Sequence, residues 1–276
     1  MTELNGFVQN LLTLINQPTS APLTTPPAPQ APAPSALPDF SKWGRIETKP
    51  LSSLRKKIGQ KMVEAWTQIP HVTQFDKVDI TDLMAARKKH NPAYKEKGAN
   101  LTLTIFALKA IVNTLKAFPQ FNSSFDSAKG ELILKHYYNI GIAVDTENGL
   151  IVPVVKNVDQ KSILELSLEV NTLAEKARLR QIAVEDLQGG TFTISNLGGL
   201  GVAEFTPIIN TPEVAILALC AGKPTPVVHN DTIQSRLIMP IGLSYDHRVI
   251  DGADGARFTR HFVHELAQFN QDLLAL

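Results

Sequence analysis

A chain of 276 residues, 43% of them hydrophobic, is long enough to bury a substantial core as one large domain or two small ones. Its 27 Lys and Arg against 26 Asp and Glu leave a net charge of +1, which gives no electrostatic reason to expect nucleic acid or an anionic membrane as partner. The lone cysteine, Cys220 in the apolar run VAILALC, excludes an internal disulfide and reads as a small core residue; no cleavable leader and no apolar run near membrane-spanning length is visible, so the expected address is cytoplasmic.

Residues 1–17, MTELNGFVQNLLTLINQ, place Phe7, Leu11, Leu14 and Ile15 at helical spacing, and a helix this short is marginal unless it docks on something. Residues 18–38 hold eight of the 18 prolines and no charge. Such composition cannot pack a core; it favours an extended spacer of about 60 Å. The folded part is expected from Asp39 to Leu276.

Within it, a serine start, apolar residues at Leu54, Ile58, Met62 and Ala65, and a stop at Pro70 predict a helix over 52–68. HVTQFDKVDI alternates like a half-buried strand, and Thr81 and Asp82 are placed to cap a helix over LMAARKKH. LTLTIFALKAIVNTLKAF is apolar on nearly all sides and reads as a buried helix ending at Pro119. The stretch from Glu131 to Val155 reads as three strands with a turn at Glu147-Asn148-Gly149, and KSILELSLEVNTLAEKARLR as an amphipathic helix. TFTISN, PEVAILALC, PVVHN and TIQSRLIMPIGLSY are strands, and a last helix is expected from Gly252 to about Leu273. Helices interleaved with strands at mostly non-hairpin spacing predict an α/β domain with a mixed sheet flanked by helices.

Gly198, Gly199 and Gly201 suggest a phosphate loop, but no Gly-Lys-Ser/Thr follows and no helix opens there, so a tight turn is the better reading. His261 and His264 stand three apart on the last helix without a third ligand nearby, and a metal site is not expected. His247 is different: it follows a buried strand in LSYDHRVIDGADGARF, where an imidazole emerging at a strand end suits a general base near neutral pH. From the residues alone His247 is a candidate base and Asp251 a candidate organiser. A Ser-His-Asp hydrolase lacks its Gly-x-Ser-x-Gly turn.

The His-x-x-x-Asp-Gly pattern of His247–Gly252 resembles the signature of the chloramphenicol acetyltransferase-like superfamily. The full string LSYDHRVIDGADGARF is similar to the catalytic core of the dihydrolipoamide acyltransferases of 2-oxo acid dehydrogenase complexes, and LSSLRKKIGQKM, IPHVTQFDKVDITDL, NIGIAVDTENGLIVPVVKN and GGTFTISNLGGLGVAEFTPIINTPEVAIL follow in that family's order. IPHVTQFDKVDITDL and the Asp-Gly-Ala-Asp after the histidine lean toward the pyruvate dehydrogenase branch. Together these pieces cover residues 39–276.

The resemblance implies a trimeric, chloramphenicol acetyltransferase-like catalytic domain that moves an acyl group between dihydrolipoamide and coenzyme A. It implies His247 as base, Ser195 in TFTISN as donor to the oxyanion, Asp251 as a fixing acid paired with Arg55, and no metal. Base and serine would come from neighbouring subunits, and trimers would assemble further. Family members usually carry lipoyl and subunit-binding domains ahead of such a linker, and residues 1–17 are too few for either. The lipoyl group is therefore expected from another chain or a missing domain, with a 2-oxo acid decarboxylase and a dihydrolipoamide dehydrogenase as further partners and residues 1–17 as a docking segment. The alternatives are a catalytically silent scaffold of such a complex, or a free-standing coenzyme A-dependent acetyltransferase of the same fold.

Overall fold

The computed structural model describes residues 37–147, 149–229 and 231–276, the side chain of His229 excepted. The docking segment 1–17 and nearly all of the 18–38 spacer thus lie outside the described residues. Residues 50–276 form one compact unit, and residues 37–49 belong to a separate one. In the latter the Asp39 carboxylate accepts from the Ser41 N–H at 3.0 Å and opens a 3-10 turn, Phe40–Trp43.

In the compact unit the first helix, α1 (Ser53–Gln68), starts where the Ser52 hydroxyl accepts from the Arg55 N–H at 3.2 Å. Of the apolar positions along it only Ala65 is buried, and Val63 and Trp66 stand 65% and 64% exposed. Helical spacing therefore located the helix without locating a core face. Strand β1 (His71–Asp79) follows, then α2 (Thr81–Glu96). Helix α2 runs on through Pro92, past the expected end at His90. A proline forfeits one helical hydrogen bond; burying Tyr94, 1% exposed, and tying Asn91 Oδ1 to the Leu101 N–H at 2.9 Å hold the extra turn to the core. Helix α3 (Leu103–Ala117) is the buried helix expected, and it ends before Pro119.

After the strand β2 (Ser123–Asp126), the stretch from Glu131 to Val155 makes four strands, not three: β3 (Glu131–Leu134), β4 (Ile140–Thr146), β5 (Gly149–Ile151) and β6 (Val154–Val155). Pro153, which cannot donate to a ladder, divides β5 from β6, while its carbonyl still accepts from the Ile142 N–H at 2.8 Å. Gly149 supplies positive φ, +124°, at the turn out of β4. Helix α4 (Ile163–Arg178) opens with a reciprocal capping box between Ser162 and Glu165. Strands β7 (Phe192–Asn196), β8 (Ala215–Leu219), β9 (Lys223–His229) and β10 (Thr232–Asp246) stand where apolar alternation put them. The last helix, α5 (Gly252–Ala267), stops short of Leu273. The chain changes there to a 3-10 turn, Gln271–Leu274, started by Asn270, which buries Leu274.

The main sheet runs β1-β10-β8-β7-β4-β5, with β6 also on β4 and β9 also on β10; β2 and β3 form a separate hairpin. β4, β7 and β8 are parallel, and β10 is antiparallel to both β8 and β1. The sheet is therefore mixed, as expected. Ile142, Ile194, Leu217, Leu243 and Tyr245 join the large core with residues of α3, α4 and α5. By the two-residue period of a strand, Thr193, Ser195, Ile216, Ala218 and Ser244 lie on the opposite face. There a second, small cluster forms from Ile69, Ile209 and Ile216.

Candidate active site

His247 stands just past the end of β10, exposed, between two residues that fix the turn. Asp246, 1% exposed, accepts from Arg248 Nε at 2.9 Å, Arg248 Nη2 at 2.7 Å and the Arg248 N–H at 3.0 Å. These bonds raise the Arg248 pKa, so the guanidinium keeps its charge. The Asp246 carbonyl takes the Val249 and Ile250 N–H groups, and the His247 N–H donates to the Pro70 carbonyl at 3.1 Å. Thus the charged pair flanking the histidine serves the turn, while the imidazole, beside the Tyr245 ring at 5.9 Å, makes no hydrogen bond among the described residues. It is left free to meet another molecule.

Asp251 is the N-cap of α5, its carboxylate accepting from the Asp254 N–H at 2.9 Å. Its expected pairing with Arg55 does not form among the described residues. Arg55 lies on α1 against Gly149, where a Cβ would stand 3.0 Å from its Nη1. A capping acid already has its partner in the helix N-terminus.

Ser195 lies on β7, 7% exposed, between Ala143 of β4 and Ala218 of β8. Both strand neighbours are small, and the Ser195 hydroxyl makes no hydrogen bond among the described residues. The glycine loop after it is the tight turn expected: Asn196 Oδ1 takes the Gly198 N–H at 2.9 Å, and Gly201 sits at φ +79°. His261 meets Thr114 Oγ1 at 3.3 Å and the Phe118 ring, a packing role.

Sequence reasoning missed Glu213. Only 3% exposed, it accepts from Thr193 Oγ1 at 2.6 Å and from Asn210 Nδ2 at 3.2 Å. Burial pushes its pKa up to about 7 despite those two hydrogen bonds. It lines a cavity of about 640 Å³ together with Lys61, Lys135, Tyr137 and Asn210. The one available signal was an isolated acid at the head of the apolar run VAILAL.

Register fixes the relation between Ser195 and His247. Ser195 is level with Ala218, which is level with Gly242 of β10, five residues before His247. Strand rise and spacing then put the two roughly 19 Å apart across the sheet. No single reacting centre in one copy of the chain touches both.

The sequence matches the family of 2-oxoacid dehydrogenases acyltransferase (catalytic domain) over residues 44–274. The chain belongs to this acyltransferase family. It is 50% identical over 236 residues to the dihydrolipoyllysine-residue acetyltransferase component of the Haemophilus influenzae pyruvate dehydrogenase complex, covering 84% of this chain and 41% of that one. The chain spans about two fifths of the length of the curated relatives it matches first. Among solved structures, that of Azotobacter vinelandii dihydrolipoamide acetyltransferase superposes with a TM-score of 0.84 at 44% identity, covering 88% of this chain and 100% of that one. The cubic core of a pyruvate dehydrogenase multienzyme complex matches with the same TM-score and coverage at 45% identity. The Azotobacter work concerned a serine, a histidine and an asparagine in the catalytic mechanism, the first two separated as Ser195 and His247 are here. Where that acyltransferase has asparagine, four positions past its histidine, this chain has Asp251. Among the described residues no helix is long and apolar enough to cross a membrane.

Proposed function

We propose that this chain is the catalytic part of a dihydrolipoamide acetyltransferase, moving an acetyl group between dihydrolipoamide and coenzyme A at the core of a cytoplasmic pyruvate dehydrogenase-type complex. The observation that carries the reading is a pair of groups that make no hydrogen bond among the described residues, His247 exposed and Ser195 buried in register between two alanines, on opposite reaches of one sheet. A site that uses both takes the imidazole from one copy and the hydroxyl from the next, which a closed homotrimer supplies; trimers of this kind build the larger core.

In this reading the coenzyme A thiol, with an ordinary pKa near 8.5, is mostly protonated at neutral pH, so His247 removes its proton as the sulfur attacks the thioester carbonyl. The carbonyl oxygen becomes an oxyanion and takes a hydrogen bond from Ser195 Oγ. Collapse breaks the bond to the dihydrolipoamide sulfur, which recovers the proton from the His247 imidazolium. Asp251 keeps the turn after His247 closed onto α5 and exchanges no proton.

Residues 39–276 carry this chemistry, residues 18–38 are the linker, and residues 1–17 dock on a partner. The lipoyl group arrives on another chain or on a further domain, and the decarboxylase and dihydrolipoamide dehydrogenase components complete the cycle. Assaying acyl transfer to dihydrolipoamide from acetyl-, succinyl- and isobutyryl-coenzyme A tests the proposal. Acetyl transfer is expected to be fastest; no transfer from any of the three overturns it.

A further inference from the structure

His71 opens β1 with every polar atom of its ring engaged. Nδ1 lies 2.9 Å from the Ile69 carbonyl, and Nε2 lies 3.0 Å from the Ile209 N–H. A carbonyl only accepts and an amide N–H only donates, so the proton sits on Nδ1 and Nε2 offers its lone pair. An imidazolium has no lone pair and would break the second bond. The ring also stacks on Trp66 of α1, centroids 5.4 Å apart and planes at 28°.

The two ends of this tie matter for the reaction. On one side, Pro70, the residue before His71, accepts the His247 N–H, and His71 itself is in register with Asp246. On the other, Ile209 belongs to the irregular segment 202–214, which packs Ile209 on Ile69 and Ile216, on the sheet face that carries Ser195. Near the end of that segment stands Glu213, whose carboxylate accepts from Thr193, two residues before Ser195. The side chain of His71 thus joins the backbone that holds one catalytic candidate to a segment packed on the sheet face that carries the other.

We propose that His71 is a positioning residue for acyl transfer: a neutral imidazole that fixes segment 202–214 on the serine face relative to the strand end carrying His247. The inference rests on the acetyltransferase reading above. Since the base and the serine of one chain serve different sites in a trimer, each His71 sets the spacing between two neighbouring sites.

Three substitutions separate this role from general support. In His71→Gln the side-chain oxygen reaches the place of Nε2 and still accepts from Ile209; His71→Asn keeps a donor for Ile69 but no acceptor there, and His71→Ala keeps neither. The expected result is kcat lowered about tenfold to hundredfold in His71→Ala and His71→Asn with KM for both substrates near the parent's, recovery to within about threefold in His71→Gln, and unchanged trimer mass in all three. Hydrogen exchange across 202–214 should quicken in the first two and not in the third. Equal rates for Asn and Gln, or a loss that follows trimer dissociation alone, overturns the proposal. If the parent transfers no acyl group, the acetyltransferase reading falls, while the exchange pattern still reports whether the tie through Nε2 exists.

Discussion

Thr193 donates from Oγ1 to the Glu213 carboxylate at 2.6 Å, on the sheet face that also bears Ser195. Burial raises the Glu213 pKa from 4.5 to about 7, so the folded chain keeps this proton over a range in which the unfolded chain has lost it. The sign follows: the unfolded state binds fewer protons between those values, and stability falls as pH rises from about 4.5 to about 7, by roughly 3 kcal/mol at most. Glu213→Gln removes that dependence. Urea midpoints of the two proteins should diverge between pH 5 and pH 8 in favour of the variant; parallel curves would mean that Glu213 is charged in the fold.

His247→Ala should lower turnover by two to four orders of magnitude, the usual worth of a positioned base. The ring is exposed and makes no hydrogen bond among the described residues, so thermal stability and trimer mass should match the parent's. Activity within threefold of the parent would remove His247 from the mechanism.

Ser195→Ala should lower kcat about 10²-fold and barely change KM for coenzyme A, because an oxyanion donor acts in the transition state. With Ala143 and Ala218 beside it in register, a further alanine is accommodated without strain. An effect confined to KM would assign Ser195 to substrate binding instead.

Gly198→Ala probes the turn after β7. A Cβ there would stand 2.7 Å from the Cys220 carbonyl oxygen, a backbone atom that cannot swing aside. A loss of about 1–3 kcal/mol is expected in equilibrium unfolding. An unchanged midpoint would mean that the turn shifts freely.

Deleting residues 1–36 should leave transfer to free dihydrolipoamide unchanged, since both catalytic candidates lie far downstream. If residues 1–17 dock on a partner, co-purification or assembly size changes. The same partners and the same mass in solution would make the segment dispensable.

Local signals in the sequence read well wherever the structure is decided locally. Ser52 announced its helix, amphipathic spacing announced α4, and apolar runs placed β7, β8 and β10 and with them Ser195 and the exit point of His247. Misreadings came where distant contacts outweigh local preference: Pro92 stays helical because Tyr94 is buried against the core, and Pro153 splits a strand that its apolar flanks made continuous. Glu213 went unseen because its partner Thr193 comes from another strand, and nothing in spacing alone pairs them. Family resemblance supplied the role expected of Ser195, which composition and periodicity did not, and it also supplied an Arg55–Asp251 pair that is not formed among the described residues of one copy.

Strand β1, the first of the main sheet, is zipped along its whole length to β10, the last. Most of the chain separates these neighbours in sequence. On the ribosome β1 and the residues that carry His71 therefore wait for the final strand, while the parallel trio β4, β7 and β8 can form beforehand. The half-made sheet meanwhile presents the β8 flank that β10 will cover, an open edge suited to pairing with another nascent chain. Synthesis that halts after β8 and before β10 leaves that edge bare, so an arrest between Leu219 and Ile241 is where a stalled chain is most exposed to pairing with its neighbours.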